Sequence, residues 1–157
     1  MYKTALCAIA VLFGAAIAST NSPSSFPRVV AKVAITGRTS AIPATTLLTP
    51  ASNALYRVSA YGVVTVPNGN TAFWHLKLNW TDDYGSENCY NGTQQGTSCT
   101  LLKINSNWEN FGQYRWGQQG AWVVRANAGT PLSYSMADVG GATGSTYDLF
   151  LTVEQIE

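Results

Sequence analysis

The chain has 157 residues, a length suited to one domain, and sets nine Lys and Arg against eight Asp and Glu. Only 11% of its residues are charged, against about 25% in an ordinary soluble domain; Ser, Thr, Asn and Gly supply most of its polarity. A net charge of +1 excludes the basic footprint of a nucleic-acid binder, the lack of like-charge blocks excludes an interaction tail, and 46% apolar residues exclude disorder by composition.

Residues 1–18 read as a secretory signal peptide. Lys3 is the positive start, 5–18 is the apolar run, and Ala16-Ile17-Ala18 is a small-x-small cleavage site. The run is shorter than the ~20 residues of a membrane span, so no span is expected in the mature chain. Cys7 precedes most of that run and is not expected to carry a lipid. Cleavage leaves Cys89 and Cys99, and an even pair in an exported chain reads as a disulfide. Closing so short a loop is worth roughly 2–3 kcal/mol on the chain-entropy account.

Residues 19–27 read as a Ser-, Pro- and Asn-rich flexible leader, and 28–157 as the folded domain. No helical period of useful length follows. Eight short runs rich in β-branched and aromatic residues do: 29–35, 45–48, 55–66, 73–80, 100–104, 121–126, 132–136 and 147–154. In 73–80, Trp74, Leu76, Leu78 and Trp80 point one way and His75, Lys77 and Asn79 the other, the alternation of a half-buried antiparallel strand. Tyr147, Leu149, Leu151 and Val153 repeat it, with Asp148 and Glu154 outward. Trp122, Val124 and Ala126 are expected in the core. Pro67-Asn68-Gly69-Asn70 predicts a hairpin between the third and fourth runs. The spacing predicts an all-β, antiparallel two-sheet sandwich of the jelly-roll type.

Thr49-Pro50-Ala51-Ser52-Asn53-Ala54-Leu55-Tyr56-Arg57-Val58-Ser59-Ala60-Tyr61 resembles a turn-and-strand of small jelly-roll proteins of bacteria and their phages. So do Leu78-Asn79-Trp80-Thr81-Asp82-Asp83, Ala128-Gly129-Thr130-Pro131-Leu132-Ser133-Tyr134 and the closing 147–154. More distantly the arrangement is similar to the tumour-necrosis-factor and complement-head jelly rolls. The resemblance covers 42–83 and 121–157 and breaks off over 89–116. It implies extracellular binding or structural work, often as a homotrimer, and supplies no catalytic residues.

Catalytic machinery is sparse. His75 is the only imidazole and reads as a solvated surface residue, so Ser/His/Asp and Cys/His devices lack their base and zinc lacks a ligand set. Among the carboxylates Glu109, set among aromatics, is the one to test for hydrolysis. Asp82, Asp83, Glu87 and Asn88 offer oxygens for calcium without a matching spacing, and Asp82-Asp83-Tyr84-Gly85 reads most simply as a turn. No phosphate cradle occurs, and no cofactor or metal is expected.

The richest segment is 108–122, where Trp108, Phe111, Tyr114, Trp116 and Trp122 alternate with Asn110, Gln113 and Arg115. Aromatic faces stack on sugar C–H surfaces while amides and Arg bond the hydroxyls. Trp108, Asn110, Gln113, Tyr114, Arg115 and Trp116 are therefore the candidate ligand-binding residues for a glycan or surface partner. Core filling and a subunit interface are the other readings of the same rings. Asn79-Trp80-Thr81 and Asn91-Gly92-Thr93 match the N-glycosylation pattern at the frequency chance allows. The function expected is non-enzymatic recognition or assembly of a cell-surface or virion-associated structure. A carbohydrate-binding module and a purely structural oligomer subunit are the alternatives.

Overall fold

The computed structural model describes residues 27–89, 100–107 and 117–157, the side chains of 87–89 and 100 excepted. Nine strands are described: β1 (Arg28–Arg38), β2 (Ile42–Leu48), β3 (Ala54–Val66), β4 (Phe73–Asp82), β5 (Gly85–Cys89), β6 (Thr100–Asn105), β7 (Gln118–Ala126), β8 (Leu132–Val139) and β9 (Thr146–Gln155). Each of the eight expected runs overlaps a strand, and the described residues hold no helix. The unexpected strand is β5, where the Asp82–Gly85 turn returns the chain along β4. Asp82 Oδ1 accepts the Tyr84 N–H at 2.8 Å within that turn.

The strands form two packed antiparallel sheets. One has the order β1-β9-β3-β7; the other has β2-β8-β4-β5, with β6 also on β4. β6 pairs with the first half of β4 and β5 with the second, so the two short strands share one flank. The pairings are nested: β1 with β9, β2 with β8, β3 with β7, β4 with β5 and β6.

That nesting corrects the hairpin expected at Pro67–Asn70. β3 and β4 lie in different sheets, so the turn carries the chain across the sandwich. Its backbone is tied to the end of β6 instead, through Asn68 N–H to Ser106 O at 3.3 Å and Ser106 N–H to Ala72 O at 2.9 Å. Turn residues mark where a strand ends, while the pairing partner is chosen by which apolar faces must meet.

The core is the interleaved inner faces. Trp74, Leu76, Leu78, Tyr147, Leu149, Val58, Val153 and Leu132 are fully buried. Trp80, expected inward, is half-buried and packs against this core from the far end of β4. The Trp74 and Tyr147 rings meet at 4.8 Å, with Trp74 Nε1–H donating to Ser145 Oγ at 2.8 Å and the Tyr147 hydroxyl donating to Ser40 O at 2.9 Å. Both large aromatics thus bury their rings without orphaning a polar tip. Burial pushes the Tyr147 hydroxyl up to about 12.

Two glycines record how closely the sheets approach. A Cβ on Gly62 would run into Ile104 and Leu102, and one on Gly120 would run into the Leu101 carbonyl. β6 therefore lies against the β3–β7 ladder with no room for a side chain at either position.

Candidate functional site

Trp108, Asn110, Gln113, Tyr114, Arg115 and Trp116, with Glu109, lie outside the described residues. So does Cys99, the expected partner of Cys89, which itself closes β5 opposite Leu78. What the described residues offer is the exposed outer face of the β1-β9-β3-β7 sheet and the two faces of its edge strand β7.

Register builds that outer face in rows. Ala34, Phe150, Tyr61 and Gln119 stand side by side across the four strands. The next row is Lys32, Thr152, Ser59 and Ala121, and the one beyond it Val29, Glu154, Arg57 and Val123. Tyr61 and Phe150 are 44% and 39% exposed and their rings lie 6.2 Å apart, tilted by 33°. Val29 and Val123 are exposed at the margins.

Two of the charges on this face pair with each other, while Lys32 stands in the neighbouring row and Asp148 accepts the Gly37 N–H. Arg57 Nε–H donates to Glu154 Oε2 at 2.7 Å, and the pairing holds the Glu154 carboxyl below its usual range and raises the Arg57 guanidinium. Both groups are open to water, so the pair adds little to stability. The row between the rings and this pair carries the small residues Thr152, Ser59 and Ala121, with Lys32 at its β1 end.

Trp122 departs from expectation. It shares its side of β7 with Val124 and Ala126, which are buried, yet it is 42% exposed. β7 is the outer strand of its sheet. A side chain directed inward from an edge strand lies at the open flank of the sandwich rather than between its layers. Trp122 and Val123 thus give β7 a large apolar group on each face.

His75 is the second correction. Alternation does direct it to the outer face of its sheet, but it is only 9% exposed rather than solvated. It stands between Lys103 and Ala137 in the register, 6.2 Å from the Phe73 ring, and the Lys103 ammonium lies 3.7 Å over that ring. Burial lowers the imidazole's pKa, and the charges of Lys103 and Lys77 lower it further. Such a group is a neutral imidazole at pH 7.

The acidic turn has structural partners. Asp82 holds its own turn, and Asp83 pairs with Arg125 at 3.4 Å. Among the described residues no three His, Cys, Asp or Glu side chains are grouped to hold a metal, and no helix is long and apolar enough to cross a membrane. Comparison with protein-family models, with curated proteins and with solved structures finds no match to this chain.

Proposed function

We propose that the chain is a secreted, non-enzymatic jelly-roll module that assembles into, or recognises, a cell-surface or virion-associated structure. The nested pairings support the jelly-roll reading. With β5 and β6 taken as one interrupted strand, they are the pairings of a long hairpin wrapped once around a barrel-like core. The N-terminal sequence supports export.

The observation that carries the assembly reading is the Tyr61–Phe150 pair, with Arg57 and Glu154 on the same face paired to each other. Exposed aromatic and aliphatic groups around small neutral residues are what a protein contact needs at its centre, where charge is costly. The contact proposed is between copies of this chain, and a homotrimer is the state proposed because the jelly-roll resemblance implies trimers. Sedimentation of the mature protein is expected to give a trimer, and Tyr61→Lys with Phe150→Lys is expected to give a folded monomer. A wild-type monomer at all concentrations would remove the assembly reading.

The glycan-binding reading, whose six candidate residues lie outside the described ones, can instead draw on Trp122, expected in the core but exposed. Its test is a glycan array with Trp122→Ala alongside the wild type. Binding lost in the variant, with thermal stability kept, would establish it in place of assembly.

A further inference from the structure

We propose that a depression of about 260 Å³ at one end of the sandwich, framed by the start of β1, the turn after β2 and the end of β9, binds a carboxylate carried on a short apolar body. Its one cation is Arg28. The Arg28 Nε–H and Nη2–H both donate to Gln155 Oε1, at 3.3 and 2.9 Å. The Gln155 Nε2–H in turn donates to the Glu157 carbonyl at 2.9 Å, which turns the amide oxygen toward Arg28. The guanidinium is thereby held by its Nε side. Nη1 and the second N–H of Nη2, which have no other partner among the described residues, form the edge whose fork geometry receives a carboxylate in two parallel hydrogen bonds.

Tyr56 is the second observation. It is only 4% exposed and lines the depression with Arg28, where a tyrosine, unlike a phenylalanine, brings a hydroxyl donor. Burial raises the Tyr56 hydroxyl's pKa and the charge of Arg28 opposes that rise, so the two groups are within electrostatic reach. At pH 7 the hydroxyl is a neutral donor in the lining of the same depression.

The rest of the lining sets the ligand class. Thr49 and Ser52 add neutral polar groups and no Asp or Glu side chain lines the depression, so one positive charge faces neutral donors. That balance suits a monoanion; a phosphate dianion would leave a charge unanswered. Val30 and Leu48 make an apolar wall fit for a short hydrocarbon body. A free small acid and the C-terminal residue of a peptide share this chemistry.

The test is an NMR titration of the full chain with isovalerate, with acetyl-Val-Val bearing a free C-terminus, and with the same peptide as its C-terminal amide. Saturable shifts around Arg28 and Tyr56 with either acid support the site, and the tighter acid identifies the source. Arg28→Gln is expected to weaken binding about tenfold or more, as loss of a charge-assisted pair does. Tyr56→Phe, which keeps the ring packing, should weaken it less and leave the spectrum of the fold unchanged. The proposal is overturned if neither acid saturates, if the amide binds equally, or if Arg28→Gln leaves the curves unaltered.

Discussion

At Leu78 the alternation of β4 places a leucine between two sheets with no exposure at all. Leu78→Ala is expected to cost about 2–5 kcal/mol, read from the denaturant midpoint, with a cost below about 1 kcal/mol contradicting that placement. Gly120 faces a different constraint, because the atom a Cβ would meet is the Leu101 backbone carbonyl and cannot rotate away. Gly120→Ala should therefore destabilise by about 1–3 kcal/mol through strain, although alanine suits a strand better than glycine does. His75 adds a pH dependence. Its folded pKa lies below its ordinary 6.5, so on acidification the unfolded chain takes up the proton first. Stability is full above pH 6.5 and falls as pH drops below it toward the folded pKa. The thermal midpoint should decline in that window for the wild type, and His75→Gln should remove that part of the decline.

Alternation settled the inner and outer residues of β4 and β9 because a strand exposes its two faces with a period of two, whichever partner it finds. The same rule misplaced Trp122 and the solvation of His75, since it describes direction and not what lies above the side chain. β5 was illegible for another reason. Gly85-Ser86-Glu87-Asn88-Cys89 has no β-branched or aromatic residue, and it is a strand only because β4 offers an open edge beside a tight turn. The loop after β8 is held from one residue. Asp138 accepts the N–H groups of Ala142 and Thr143 and the Thr143 hydroxyl, and the Thr143 hydroxyl is the main cause that holds its carboxyl below the usual range. That contribution is present above the ordinary carboxylate pKa of 3.8 and is lost as pH falls through the lower folded value. Thr143→Val should shrink the loss of thermal stability across this acid range, and unchanged acid unfolding would show that the loop does not depend on it.

For the whole molecule, composition and spacing were enough for an all-β sandwich. A chain this poor in charge, with apolar runs of strand length and no helical period, has no other way to bury its surface. The sequence also singled out Trp74, Leu76, Leu78 and the β9 leucines as core. It did not show that the Pro67–Asn70 turn crosses between sheets, because a turn's residues report a local bend and not which strand the chain meets next. Nor did it bring Tyr61 beside Phe150, or Arg28 beside Gln155 and Tyr56. Those neighbours are 89, 127 and 28 residues apart in the chain, and only the register of β3, β9 and β1 puts them together. The period of the side chains is a local property that a sequence carries openly. The juxtaposition of distant strands is decided by the simultaneous burial of both inner faces, and so belongs to the tertiary structure alone.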